Sequence, residues 1–366
     1  MYGAADWRDL DLIRTQDWAE YLLCVRNTTG VTVRNQTRVV RIEPVASEFR
    51  LFKVGLLKQA QRLDVFARNI VLASGQDGVG RWWVPEFVEA LPREYWRHSA
   101  ESIDFSALRD KRVAVLGAGA SAADNAAVAL EHGAAEVHMF VRRSKLQRIQ
   151  PYRWITFAGF LKALPDLDDA WRWRFMQQVL GMRESIPQNT YDRMRKHSNF
   201  YLHTARGWTD AHVDGASNTI CATTMKGPFL SDYVIAGTGI DVDFAVRAEL
   251  AGFAGLIKTW SDAYVPPPSQ ADERLARYPY LDSNGAFQEK QPGAAPYLAS
   301  IFDFTIAATM SFGPSGSSIN AMTTAVPRLS AAITRTLFTE DIDYHWQDFL
   351  AYATPVFVPS GPDDGK

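Results

Sequence analysis

Six consecutive residues, Gly117-Ala118-Gly119-Ala120-Ser121-Ala122, have the form G-x-G-x-x-A and follow directly on the apolar run Lys111-Arg-Val-Ala-Val-Leu116. That spacing suits a strand, a tight turn and a helix start, the parts of a dinucleotide-phosphate cradle. Gly117 permits the turn, Gly119 leaves out the side chain that would block a pyrophosphate, and Ala122 lets the helix pack close to the strand. The helix amino terminus supplies unpaired N–H groups and a dipole that favours negative charge. A second strand over Glu136–Val141 leads into Arg142-Arg143-Ser144-Lys145, where an acidic residue would hold a ribose 2′-hydroxyl. Arginine there suits a 2′-phosphate, so the site reads as preferring NADPH; the alternative is a solvated basic face.

Other positions invite chemistry less strongly. Ala73-Ser74-Gly75 and Gly237-Thr238-Gly239 each close a short apolar run, as small residues at a strand end facing a ligand crevice do. Asp241, two residues beyond Gly239, is expected to cap the segment that follows it, contact with a cofactor being the alternative. Trp82, Trp83, Trp171 and Trp173 suit an aromatic pocket or, more commonly, a core. Cys24 and Cys221 form no C-x-x-C pair and no metal-ligand spacing, so neither a redox disulfide nor a metal site is expected. No catalytic side chain is assigned.

The elements that must position these residues follow from periodicity. Asp17 to Arg26 has a helical stripe of Trp18, Tyr21, Leu22 and Val25. β-Branched runs at Val31–Arg34, Arg38–Ile42, Phe49–Lys53 and Arg62–Ala67 predict a small β-rich segment, and Asn69–Gly75 a buried parallel strand. Residues 76 to 110 read as a crossover between domains. Lys111 to Val141 then predicts a βαβ unit, with helices at Asp169–Leu180 and Tyr191–His197 and a third parallel-type strand at Asp232–Gly239. A helical pattern from about Asn320 to Phe338 contains Pro327, and the tail after Pro355 reads as disordered.

Composition narrows the classes. In 366 residues, 39 Lys+Arg against 41 Asp+Glu leave a formal charge of -2, which draws the chain to neither nucleic acid nor an anionic membrane. Met1 to Thr15 carries Asp6, Asp9 and Asp11 and has no basic-then-apolar pattern, so it does not read as a signal peptide and a cytoplasmic location is expected. The length suggests two domains. Oligomeric state is not readable.

With Ala73-Ser-Gly75 before the βαβ unit and Gly237-Thr-Gly239 after it, the chain resembles the flavin-dependent monooxygenases of the two-dinucleotide-domain type. These include flavin-containing and Baeyer–Villiger monooxygenases and predicted flavoproteins linked to cation-diffusion facilitators. The likeness runs along most of the chain, including Trp96-Arg-His98-Ser99 and Ile103-Asp-Phe105. It implies an α/β fold with a Rossmann-like NADPH domain at 106–245, carrying a helical insertion at 151–210. That domain is inserted into an FAD-binding domain made of 1–105 and 246–366.

It further implies NADPH and FAD as cofactors, with Gly75, Gly237, Thr238 and Gly239 joining Gly117 to Ala122, Arg142 and Arg143 in holding them. The implied activity is oxygenation of a small organic substrate through a flavin C4a peroxide. A flavin reductase or oxidase, and a non-catalytic NADPH-binding remnant, stand as alternatives. Ketone, amine, sulfide and purine-like substrates all remain open. Gly313 to Asn320 is implied to be either a helix start facing the flavin or a plain turn.

The sequence departs from that family twice. Pro92 and Glu94 stand where its F-x-G-x-x-x-H fingerprint, ending at His98, has Phe and Gly. No G-x-G-x-x-G precedes Asn69, and Gly75-Gln-Asp-Gly78-Val-Gly80 has the wrong spacing to replace it. The FAD domain is therefore expected to be truncated at its amino end.

Overall fold

The computed structural model describes residues 13–47, 50–316 and 318–357. Asp6, Asp9, Asp11, Phe49 and the end of the tail lie outside them. Helices of two turns or more are numbered below.

The first helix, α1 (Thr15–Thr29), has Asp17 in its first turn and stops at Gly30, whose φ of 67° is the left-handed turn that glycine accommodates. None of its residues is buried, so the Trp18–Val25 stripe is not packed against a core. Val31–Arg34 is not a strand but loop, since it pairs with no strand among the described residues. Pairing begins instead at β1 (Thr37–Val45), which forms an antiparallel meander with β2 (Leu51–Lys58) and β3 (Gln61–Ala67). The strand expected over Asn69–Gly75 shortens to β4 (Ile70–Leu72), and Val71 is 38% exposed rather than buried. Its one partner among the described residues is a parallel strand near the carboxyl end.

After β5 (Gly80–Trp82) the chain enters a five-stranded parallel sheet. Its strands are β6 (Trp96–His98), β7 (Arg112–Leu116), β8 (Glu136–Val141), β9 (Phe200–Thr204) and, last in sequence, β13 (Tyr233–Ala236), in the order β6-β13-β7-β8-β9. A parallel sheet needs cover on both faces. One face receives α2 (Ala120–Glu131), whose Ala122, Ala123, Ala126, Ala127 and Leu130 pack on Val113, Val115, Val137, Met139 and Ile235. The other receives an antiparallel meander, β10 (Trp208–Asp214), β11 (Thr219–Thr224) and β12 (Gly227–Ser231), through Trp208, Ile220 and Phe229 against Leu116, Phe140 and Val234.

Between β8 and β9 come α3 (Asp169–Met182) and α4 (Gln188–Arg195). Asp168 caps α3 by accepting from the Trp171 N–H at 2.8 Å. Trp173, Met176, Val179 and Leu180 of α3 do not pack on the parallel sheet. They join Phe52, Trp260, Phe287 and Leu298 in a second core, together with Ile155, Phe160 and Leu164. The Met194 side chain of α4, by contrast, packs with Ala126 and Val137 under the sheet. The chain thus passes between the two cores from Val79 to Val88, from Val141 to Ile155, from Leu180 to Ile186 and from Ile235 to Val242.

The return leg is β14 (Ile240–Val242), paired antiparallel with β5. Further on, β15 (Ile301–Asp303) pairs with β4, and α5 (Ile319–Glu340), which carries Pro327 in its interior, and α6 (Ile342–Ala351) complete the described chain. No helix among the described residues is long and apolar enough to cross a membrane, and no cluster of metal-binding side chains occurs among them.

Candidate nucleotide site

Leu116 ends β7, and Gly117 follows at φ +124°, with its N–H donating to the Phe140 carbonyl at 3.0 Å. A Cβ on Gly117 would lie 2.1 Å from the Gly237 carbonyl oxygen. Behind it, a Cβ on Gly237 would lie 2.4 Å from Cβ of Ala122. The two glycines and the alanine let the ends of β7 and β13 and the first turn of α2 press together without intervening side chains.

Gly119 is the opposite case. It occupies the position before α2 with φ −79° and ψ 172°, no side chain caps the helix, and nothing stands within 4 Å of where its Cβ would be. Ala120, Ser121 and Ala122 therefore begin a helix whose leading N–H groups face open space. The Ser121 hydroxyl is turned sideways to Ser99 Oγ at 3.0 Å, and Asn125 donates to the Ser99 carbonyl at 3.2 Å, tying the helix start to the segment after β6. A bare, uncapped helix start beside a glycine is the geometry that accepts a pyrophosphate.

At the end of β8 the two arginines part company. Arg143 donates from Nη1 to the Met182 carbonyl at 2.8 Å and from Nη2 to the Gly181 carbonyl at 2.5 Å, so it caps the carboxyl end of α3. Arg142 lays its stem over Gly207, where a Cβ would meet Arg142 Cγ at 3.0 Å, and brings its guanidinium to 6.0 Å from the Trp83 ring. Trp83 in turn donates its N–H to the Gly239 carbonyl at 2.9 Å, and its own carbonyl accepts from the Thr238 hydroxyl. Arg142 is thereby linked, through Trp83, Thr238 and Gly237, to the rear of the cradle.

The remaining candidates are spread more widely. Gly75 lies in a turn just past β4, away from the parallel sheet, at φ 67° and with nothing within 4 Å of where its Cβ would be. Asp241 is not a cap: it sits within β14, 3.9 Å from Arg81 and 3.8 Å from Arg277. The cap role belongs to Asp243, whose Oδ1 accepts from the Ala245 N–H at 3.0 Å. His98, buried under Trp82 at a ring distance of 4.9 Å, accepts through Nδ1 from the Ala100 N–H at 3.2 Å. Burial holds its pKa below the ordinary value against the opposing pull of Glu101. Of the tryptophans, Trp173 is wholly core and Trp171 is exposed under the Arg174 guanidinium. The turn at 313–316 precedes α5, and its side chains from 315 to 317 lie outside the described residues.

A feature that sequence reasoning missed adjoins Arg143. Arg183, immediately after α3, has φ 65° and ψ 169°, a region occupied almost only by glycine. Crowding by protein, then the Arg274 charge and, against the opposing pull of Tyr278, the Arg142 and Arg143 charges lower its pKa below that of an ordinary guanidinium, although the residue is exposed to solvent.

A glycine cradle on a parallel sheet, with segments before and after it in sequence packed in another core, is the build of the two-dinucleotide-domain flavoproteins. Comparison with known proteins agrees. Residues 8–154 match the family described as L-lysine 6-monooxygenase/L-ornithine 5-monooxygenase. The FAD-dependent urate hydroxylase of Xanthomonas campestris is 35% identical over 362 residues, spanning 99% of this chain and 75% of that protein. The ornithine hydroxylase of Pseudomonas aeruginosa superposes with a TM-score of 0.66 at 16% identity, covering 92% of this chain and 79% of that one. The L-lysine 6-monooxygenase of Pseudomonas syringae does so with 0.64 at 18%, covering 90% and 78%. The chain belongs to the flavin-dependent monooxygenase family that includes the urate hydroxylase.

Proposed function

We propose that the chain acts as an FAD- and NADPH-dependent monooxygenase on a small organic substrate, with NADPH bound across the Gly117–Ala122 turn. The observation that carries the nucleotide assignment is the bare start of α2. Gly119 opens on empty space, while Gly117 and Gly237 are wedged together behind it. The N–H groups of Ala120 to Ala122 would hold the pyrophosphate, and Arg142 the 2′-phosphate. Arg143, Gly237 and the Ala122 side chain shape the site from behind. Thr238 and Gly239 anchor Trp83 beside Arg142. Bound NADPH supplies reducing equivalents that no side chain of the chain could provide.

FAD does not find an equivalent place. Among the described residues there is no second unit of strand, glycine turn and helix that could hold the FAD pyrophosphate. Gly75 and the 313–316 turn are the candidates for its ring side. Family membership supports the flavin requirement, and identity to the urate hydroxylase makes urate the first substrate to assay.

The test is aerobic NADPH consumption by the purified chain with added FAD, measured together with oxygenated product. With a true substrate, urate first and then ornithine and lysine, consumption rises and product approaches one per NADPH. Consumption without product would convert the reading to a flavin reductase or oxidase. No NADPH binding at all would overturn it.

A further inference from the structure

We infer that Arg183 is a second cation for the nucleotide's 2′-phosphate, reaching it from the other core, so that NADPH is gripped between the two bodies. This rests on the nucleotide assignment above and adds to it a residue from outside the βαβ unit.

The argument begins with the backbone. At φ 65° and ψ 169° a glycine is free and any other residue is strained. Arginine occupies the position although Gly181 stands only two residues earlier. A side chain placed against its backbone preference needs a function for that side chain. Its location supplies one. The two hydrogen bonds from Arg143 to the Gly181 and Met182 carbonyls, with a third from Gln147 Nε2 to Met182 at 3.0 Å, pin residue 183 beside the end of β8. That is where the fold puts a 2′-phosphate.

Charge supports the placement. Arg183 lies near enough to Arg274, Arg142 and Arg143 for their charges to act on it, and among the described residues no carboxylate pairs with Arg142 or Arg183. Arg143 is occupied by helix carbonyls, and Arg274 is partnered by Asp272 at 3.4 Å. Arg142 and Arg183 are thus the two unclaimed guanidinium groups, and a dianionic phosphate is the ligand such a pair recognises. Arg142 is carried by the parallel sheet, whereas Arg183 is carried by α3, whose apolar face belongs to the second core. One phosphate between them would join the bodies.

The experiment is calorimetric titration of the full chain with adenosine 2′,5′-bisphosphate and with 5′-AMP, for wild type, Arg183→Gly and Arg183→Lys. Arg183→Gly is expected to weaken the bisphosphate by roughly tenfold to a hundredfold and to leave 5′-AMP nearly unchanged. Because glycine suits the backbone there, its melting temperature should hold or rise, which separates lost binding from lost fold. Arg183→Lys keeps the charge and should fall between the two. If Arg183→Gly binds the bisphosphate as wild type does, or loses both ligands equally, the inference is overturned. If wild type itself does not prefer the bisphosphate, the reading of Arg142 and the nucleotide site fails first, and this inference with it.

Discussion

Two glycines of the same cradle should fail in opposite ways. Gly119→Val places its side chain where no atom lies within 4 Å, on a backbone at φ −79° and ψ 172° that any residue adopts. Its effect on stability should stay within about 0.5 kcal/mol, as for an unpacked surface site. Yet the new side chain fills the approach of a pyrophosphate, and loss of more than about a hundredfold in NADPH affinity, roughly 2.7 kcal/mol, is expected. Gly237→Ala adds one methyl, and that methyl meets Ala122 Cβ at 2.4 Å, Ala122 Cα at 3.0 Å and the Leu116 carbonyl oxygen at 3.3 Å. Relief requires the start of α2 to retreat by about 1 Å, an overpacking cost of about 1 to 3 kcal/mol. Thermal unfolding followed by circular dichroism, and NADPH titration of tryptophan fluorescence, read the two quantities separately. A Gly119→Val protein that keeps NADPH affinity within about threefold (~0.6 kcal/mol) of wild type would falsify the cradle. So would a Gly237→Ala protein as stable as wild type.

Three further outcomes follow from particular contacts. Arg142→Ala should cost about 1.5 to 3 kcal/mol in NADPH binding and little in NADH binding, whereas Arg143→Ala should lower stability by uncapping α3 and affect both nucleotides alike; isothermal titration of the pair distinguishes them. His203 is pushed down to about 4 by burial first and then by Arg206, His138 and Lys226, and it shares a 3.0 Å hydrogen bond with His138. A histidine whose folded pKa lies below its unfolded value near 6.5 leaves the fold fully stable above that pH. Stability is then lost as pH falls toward 4, by on the order of 1 kcal/mol after allowing for solvent screening, and urea midpoints at pH 7 and 4.5 should converge in His203→Gln. Trp173→Ala should cost about 3 to 5 kcal/mol, since the ring is buried against Trp260 and its Nε1 donates to the Gln270 carbonyl at 2.9 Å; a midpoint shift under about 1 kcal/mol would contradict the core assignment.

The strand, turn and helix from Arg112 to Glu131 were legible because local rules agree there: a β-branched apolar run, paired glycines, then alanines at helical spacing. The strand at Glu136–Val141 was legible for the same reason. Pairing over long distance was not. Tyr233–Ala236 inserts between β6 and β7, and nothing in its four residues names those neighbours. Val71 looked buried because its residue types match a covered parallel strand, but cover is supplied by other elements and not by the strand itself. Arg142 and Arg143 were indistinguishable as letters; only the carbonyls at the end of α3 separate them. Arg183 escaped notice because a positive φ is readable when the residue is glycine and silent when it is arginine.

The repeated passage of the chain between its two cores also limits what can be cut out of it. Residues 83 to 239 look detachable, since Trp83 and Gly239 meet within one hydrogen bond of 2.9 Å. Lifting that stretch into another protein, for instance to transplant coenzyme preference, would carry off Phe160, Leu164, Trp173, Met176 and Leu180 from beneath Trp260 and Phe287. At about 1.5 to 3 kcal/mol for each large apolar side chain left without its partners, the donor scaffold would lose as much as a whole domain's usual margin of stability. The two halves are laced rather than plugged together, and coenzyme preference in this chain is best rewritten in place, one side chain at a time.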